Sequence, residues 1–128
     1  MKRSGNEAMI IARYINTFLN EYMPSQKTRS EHTMKSYGTA LSLFLGFLET
    51  EKNIDSSKLR AKCFNSQMIE EWLQWLIEKR GCSPETCNIR LASLRAFLTY
   101  LGKREVSMLY LSTEASQTDR KKTHKKRE

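Results

Sequence analysis

The stretch GCSPETCNIRLASLRAFLTYLG, residues 81–102, carries the signals of one well-delimited helix. Gly81 follows two basic residues, which is the usual chemistry at the end of a preceding helix. Ser83 is a favourable N-cap, and Pro84 fits the first helical position. Leucines then recur at helical spacing as far as Gly102, which is predicted to end the helix. We therefore predict a capped amphipathic helix over this stretch.

The N-terminal part of this helix also carries polar side chains beside its leucines. At ~100° per residue, Asn88 and Arg95 fall opposite the leucine stripe, and Arg90 falls on its flank. Thr86 lies in the first turn, where unpaired N–H groups and the helix dipole favour an anion. Such an end suits a phosphate or a base edge. The same residues also suit a capped core helix with a solvated outer face.

The remaining sequence predicts more helices and no strand. Proline and glycine are scarce, with two and five among 128 residues, and hydrophobic residues make up 39%. Apolar residues at helical spacing predict further helices at about residues 7–23, 32–50 and 67–80, and a short one at about 104–112. Pro24 is predicted to stop the first of these helices, and Ser66 to cap the third. We predict an all-α domain, a compact bundle of four to five helices.

The helical domain is predicted to comprise residues 1–112. Residues 113–128 are expected to form a basic flexible tail or the start of a linker, with disorder from Ser112 onward. Phe64 is expected to fill the core between two helices. Three apolar residues are expected to dock the short last helix: Val106, Leu109 and Leu111.

The second predicted helix begins with a polar face like that of the fourth. Its first two turns carry hydroxyl and basic side chains, away from the apolar stripe that includes Tyr37: Thr33, Lys35, Ser36 and Thr39. Two helices that both begin with such groups can flank a duplex groove together. A solvated helical face explains these residues as well.

The positive charge is concentrated at the C-terminus. The last ten residues, DRKKTHKKRE, carry six Lys and Arg against two Asp and Glu, hence +4 of the total of +8. The folded part is therefore only mildly basic. A nucleic acid fits this charge because neutralised phosphates release counterions, and a domain that merely ends in a basic tail fits it too.

The sequence lacks the signals of other kinds of site. Cys63, Cys82 and Cys87 are an odd number, and the C-x4-C pair has no second pair to complete a zinc site. We expect buried, inert thiols, and neither a metal, a cofactor nor a small-molecule substrate. No apolar run approaches the ~18 residues of a membrane span, so a cytoplasmic protein without membrane contact is expected.

The order of these signals resembles the N-terminal core-binding (SAM-like) domain of the tyrosine recombinases, the phage-integrase family. The resemblance covers about residues 8 to 112. Its residues are Thr33-x3-Tyr37-x3-Leu41-x2-Phe44-x2-Phe47, then Trp72 and Leu76 before Gly81, then Ser83-x2-Thr86-x-Asn88-x-Arg90-Leu91-x2-Leu94-Arg95-x-Phe97-x2-Tyr100-Leu101.

The resemblance implies one half of a C-shaped clamp around recombination-site DNA, with the second and fourth helices against the major groove. It implies double-stranded DNA and sister recombinase protomers as partners, in a bacterial, phage or mobile-element setting. It also implies that cutting belongs to a separate C-terminal domain, where a tyrosine attacks a phosphate surrounded by cationic groups.

This chain is expected to bind DNA and not to cut it. His124 and Arg127 spell an H-x-x-R like that of the catalytic domain, but they lie in the basic tail with no tyrosine after them. We interpret this match as coincidence. None of the five tyrosines is predicted to be a nucleophile, so the chain alone is not expected to be an enzyme.

Eight residues are expected to contact DNA: Thr33, Lys35, Ser36, Thr39, Thr86, Asn88, Arg90 and Arg95. Most contacts should reach phosphate, with limited base reading by Asn88, Lys35 and Arg90. The alternative is a helical protein-interaction module with a basic tail. Its apolar groove would use Trp75, Met68 and Leu43, and its binding would be insensitive to salt. A thiol or hydrolytic enzyme built on Cys82 lacks a base beside the nucleophile.

Overall fold

Five α-helices follow one another in the computed structural model, which describes residues 3–25 and 31–118. They are α1 (Arg3–Thr17), α2 (Glu31–Lys52), α3 (Ser66–Arg80), α4 (Pro84–Arg104) and α5 (Tyr110–Ser116). Short 3-10 turns lie at Ser56–Lys58, Ala61–Phe64 and Val106–Met108. No strand occurs within these described ranges. The predicted all-α bundle of four to five helices is confirmed.

The first helix runs past its predicted stop. α1 continues through a π-helical segment, Phe18–Tyr22, into a final turn, Met23–Ser25, so Pro24 lies inside the last turn. The N–H of Met23 donates to the carbonyl of Phe18, which is the wider spacing of a π-turn. Pro24, which has no N–H to donate, lies in the turn directly after this π-turn.

The start of α4 is as predicted, but its end is not. Ser83 Oγ accepts a hydrogen bond from the backbone N–H of Thr86 at 3.1 Å, and Pro84 is the first helical residue. The helix runs two residues past Gly102, to Arg104. Gly102 is buried, and a Cβ atom there would lie 3.1 Å from the Cα of Leu109. The glycine therefore permits a close approach of two backbones and does not terminate the helix.

Two groups of aromatic rings fill the core, and α4 connects them. One group joins α1 to α4, with Phe18 packed 5.4 Å from Phe97 and 5.1 Å from Tyr100. The other surrounds Phe44, whose ring lies 5.0 Å from Phe64. Phe64 lies 6.4 Å from Phe97 and is fully buried, as predicted for a residue that fills the core between helices.

The start of α3 differs by one residue from the sequence prediction. Asn65, not Ser66, is the N-cap, and its side chain accepts from the N–H of Met68 at 2.8 Å. The N–H of Ser66 donates to the carboxylate of Glu114 at 2.7 Å. At the other end, Gly81 adopts a left-handed conformation with φ 68°, as expected for a glycine that closes a helix.

The C-terminal residues are more ordered than predicted. α5 extends to Ser116, so the disorder expected from Ser112 is wrong for residues 112 to 118. The docking residues also differ, because Met108 and Leu111 are buried whereas Val106 and Leu109 are exposed. The turn at Val106–Met108 rotates the expected contact from Val106 to Met108. The rest of the basic tail, with its H-x-x-R, lies outside the described residues.

Candidate nucleic-acid interface

The N-terminal halves of α2 and α4 enclose a groove with a volume of about 500 Å³. α2 packs more extensively on α4 than on any other helix, so the polar beginnings of the two helices face one groove. Six of the eight residues predicted to contact DNA line this groove: Thr33, Lys35, Ser36, Thr39, Thr86 and Arg90. The remaining lining residues are Tyr37, Ile89, Ala92 and Ser93.

Arg90 connects the two walls of the groove. Its Nη1 donates to the hydroxyl of Ser36 at 3.3 Å, across 54 residues of sequence. Its Nε is buried and has no hydrogen-bond partner among the described residues. A buried donor without a partner is costly. The hydrogen bond to Ser36 holds the guanidinium against α2 at the wall of the groove.

Lys35 stands between this groove and a second concavity beside it. The second one has a volume of about 530 Å³ and is lined in part by Leu19, Gly38 and Ser42, with Lys35 and Thr39 common to both. The Lys35 side chain is exposed. The described lining of both concavities contains no carboxylate, so Lys35 and Arg90 are not neutralised there by an acidic lining residue.

The first turn of α4 lies at one end of the groove. Ser83 Oγ accepts from the Thr86 N–H, and the hydroxyls of Ser83 and Thr86 are 3.1 Å apart. Capping by Ser83 therefore satisfies one of the first N–H groups of α4. The Thr86 side chain remains partly exposed and supplies a hydroxyl at the groove wall.

The prediction that Asn88 lies on the outer face of α4 is wrong, because its side chain is only 6% exposed. α4 is the central helix and is covered by α2, α3 and α5. Its buried surface is therefore wider than a single leucine stripe, and it includes polar Asn88 and Ser93. Asn88 does not line the groove.

Arg95 is also absent from the groove lining, since its guanidinium binds the end of α5. Nε donates to the carbonyl of Ala115 at 3.0 Å, and Nη2 donates to the carbonyl of Thr118. Carbonyls at the C-terminal end of a helix lack intrahelical partners and carry partial negative charge. Arg95 thus caps α5, in place of the solvent-facing position that the helical wheel predicted.

Four lining residues are not among the predicted contacts. Tyr37 belongs to the apolar stripe of α2 by its spacing, and its ring does pack 5.8 Å from that of Phe18 while also lining the groove. Ile89 and Ala92 lie three positions apart on the exposed side of α4. Their position opposite the leucine stripe is visible in the sequence, but neither side chain carries a hydrogen-bonding group that would indicate a contact with phosphate.

The residues predicted to form an apolar protein-binding groove pack against the core. Trp75, Met68 and Leu43 are each partly buried against it. The ring of Trp75 lies 5.6 Å from that of Phe47 and 6.0 Å from the guanidinium carbon of Arg80. These contacts occupy part of the apolar surface that a partner would need.

Two of the three cysteines are buried, as expected, and the third is not. Cys63 and Cys87 are buried, whereas Cys82 is partly exposed, and none of the three is in a disulfide. The Sγ of Cys87 lies 3.9 Å from the carbonyl of Leu73 and belongs to the core. As for membrane contact, none of the helices within residues 3–25 and 31–118 combines the length and the hydropathy that a membrane crossing requires.

Comparison with known proteins identifies the family of this sequence. The model of the phage integrase N-terminal SAM-like domain matches residues 15–105. Two proteins of Sinorhizobium fredii that are named as putative integrase/recombinases are similar to this chain. One, y4rD, is 26% identical over 97 residues, which cover 76% of this chain and 34% of that protein. The other, y4rC, is 26% identical over 90 residues, which cover 70% of this chain and 27% of that protein.

The chain therefore spans about a third of the length of y4rD and about a quarter of that of y4rC. No solved structure matches it. The matched region is the N-terminal domain of the family, and it covers most of the sequence, including α2, α3 and α4. The chain belongs to the phage integrase family, of which it contains the N-terminal SAM-like domain.

Proposed function

We propose that this domain binds double-stranded DNA through the groove between α2 and α4, as the N-terminal clamp of a site-specific recombinase. One observation carries the proposal. Six polar residues predicted from two separate stretches, Thr33 to Thr39 and Thr86 to Arg90, line one groove with no carboxylate in its described lining. The names of the two relatives, integrase/recombinase, are consistent with this function.

The chemistry of the groove suits phosphate and base edges together. Lys35 is an exposed cation on a flexible stem, which suits a phosphate oxygen. The guanidinium of Arg90 is partly buried and is held by its hydrogen bond to Ser36. This geometry suits a directed contact to phosphate or guanine. The threonine hydroxyls add neutral donors along both walls. The proposed contacts are Thr33, Lys35, Ser36, Thr39, Thr86 and Arg90, without Asn88 and Arg95.

We also propose that this chain binds DNA without cutting it. The matched family region is the N-terminal SAM-like domain. Burial raises the pKa of the Tyr100 phenol, and partial desolvation together with the nearby carboxylates of Glu7 and Glu114 raises the pKa of the more exposed Tyr110. A raised pKa lowers the supply of the phenolate that attacks phosphorus. Neither tyrosine therefore has the environment of an activated nucleophile.

The test is duplex binding by the double variant Lys35→Ala/Arg90→Ala, measured by fluorescence anisotropy at low and moderate salt. Wild type should bind in a strongly salt-dependent manner, and the double variant should lose at least about tenfold in affinity. The slope of log K against log salt concentration, which we call the salt slope, should fall in magnitude by about 2. The control is Lys62→Ala, which removes an exposed lysine from the 3-10 turn at Ala61–Phe64, outside the groove lining. A double variant that binds like Lys62→Ala would refute the groove as the binding site.

A further inference from the structure

Ile89 is an exposed apolar side chain in the lining of the proposed DNA groove. Five large apolar residues are exposed in the described part of the chain, and Ile89, at 52% exposure, is the one of them that lines the groove. The others are Met9 on α1 and three residues at or beside the segment between α4 and α5: Val106, Leu109 and Tyr110.

The neighbours of Ile89 are polar groups that we assign to DNA contact. Arg90 follows it directly, and Thr86 precedes it by one helical turn. Ala92 lies three residues further along the same exposed face. Ile89 and Ala92 therefore form a small apolar strip between hydrogen-bonding groups, on the side of α4 that faces the groove.

In the major groove of DNA, one base presents an apolar group, which is the C5-methyl of thymine. Burying a methyl against an apolar side chain removes both surfaces from water, so it contributes to affinity only where a thymine is present. The hydroxyl and guanidinium groups around Ile89 can bind any phosphate, so they do not supply this selectivity.

We propose that Ile89, with Ala92 beside it, contacts the C5-methyl of a thymine and so gives this domain a preference for thymine at one position of its DNA site. The inference rests on the proposed function and names a specificity-determining residue within the same groove. Its chemistry separates it from the cationic contacts, because the methyl contact is insensitive to salt whereas the phosphate contacts are not.

The test compares thymine with uracil, which differs from it by the missing methyl. A pool of random-sequence duplexes is enriched by binding to the wild-type protein and then copied once with dTTP and once with dUTP. Wild type should bind the thymine pool about fourfold more tightly, the factor that burial of one methyl is worth. Ile89→Ala should bind both pools equally, and Ile89→Val should retain most of the preference.

The matched control is Val106→Ala, which shortens an exposed β-branched residue outside the groove and should keep the wild-type preference. A preference that persists in Ile89→Ala would show that uracil acts through duplex shape and would overturn the inference. Equal binding of both pools by wild type would also overturn it, while leaving the proposed function intact. Failure of wild type to bind either pool at low salt would overturn the proposed function, and this inference with it.

Discussion

The guanidinium of Arg90 donates to the hydroxyl of Ser36 at 3.3 Å and so joins α4 to α2 across the candidate groove. The bond is formed inside the lining of the groove, and the Nε of the same guanidinium is buried without a partner among the described residues. Arg90 therefore has two roles. It ties the two helices together, and it places a positive charge in the lining of the groove.

We expect a measurable coupling between Arg90 and Ser36. A double-mutant cycle with Arg90→Ala and Ser36→Ala should give a coupling free energy of about 1 kcal/mol in urea unfolding, because a hydrogen bond to a charged donor is lost in either single variant. In duplex binding, Ser36→Ala should weaken affinity less than Arg90→Ala, since the cation remains. Strictly additive effects on stability would mean that the bond does not form in solution.

A second prediction concerns Arg95, which caps α5 through the carbonyls of Ala115 and Thr118. Arg95→Ala should lower the free energy of unfolding by ~1–3 kcal/mol, because two charge-assisted hydrogen bonds to carbonyls at the C-terminal end of α5 are lost. Hydrogen exchange of the amides from Thr113 to Thr118 should become faster. Arg95→Lys keeps the charge but loses the planar guanidinium that donates to two carbonyls. Its free energy of unfolding should lie between those of wild type and Arg95→Ala.

The same variant separates capping from DNA contact. With the protein still folded, Arg95→Ala should keep the wild-type duplex affinity and the wild-type salt slope. A salt slope reduced by about 1 would restore Arg95 to the set of phosphate contacts that the helical wheel predicted.

Local signals in the sequence predicted the beginning of α4, while its surroundings needed the structure. Ser83 caps a backbone N–H only three residues away, and Pro84 takes the first helical position, so the cap can be inferred from neighbouring residues in the sequence. Asn88 is buried because α4 is the central helix. The spacing of residues within α4 does not show how many other helices pack around it. The partner carbonyls of Arg95 lie twenty residues and more downstream, in a segment whose polar sequence predicted disorder.

The candidate groove was predicted in two separate parts. Helical spacing indicated a polar face on α2 and another at the start of α4. Spacing within each helix does not say that the two faces meet, since this depends on how α2 packs on α4. The similar polar residues at the two helix starts suggested that they flank one groove, and Lys35, Thr86 and Arg90 do line one groove.

A third prediction follows from the burial of Tyr100, which is 4% exposed. Burial raises the pKa of its phenol, and the nearby guanidinium of Arg104, 4.0 Å from the ring centroid, opposes the shift only in part. The folded state thus holds the phenolic proton more tightly than the unfolded chain, whose tyrosine has a pKa of about 10. Stability from this group is complete below pH ~10 and is lost as the pH rises above that value.

Urea unfolding of wild type and Tyr100→Phe between neutral and strongly alkaline pH measures this effect. Other pH effects are common to both proteins, but wild type should lose additional stability, so any advantage of tyrosine over phenylalanine should shrink above pH ~10. A difference between the two proteins that stays constant with pH would contradict a raised pKa of Tyr100.

The last prediction compares two glycines that lie inside helices. A Cβ at Gly102 would lie 3.1 Å from the Cα of Leu109 and 3.3 Å from its Cδ1, whereas a Cβ at Gly46 would meet nothing within 4 Å. Gly46→Ala should stabilise the protein by ~0.5–1 kcal/mol, because alanine loses less backbone entropy in a helix. Gly102→Ala receives the same propensity gain, but overpacking against a backbone atom costs ~1–3 kcal/mol.

We therefore expect Gly102→Ala to be less stable than wild type and Gly46→Ala to be more stable, as measured by urea midpoints under identical conditions. The two variants add the same methyl group to a helix interior, so their difference isolates the contact between α4 and the segment that leads into α5. If Gly102→Ala were as stable as Gly46→Ala, Leu109 would have to move aside at no cost, and Gly102 would not be required for the close approach of these two segments.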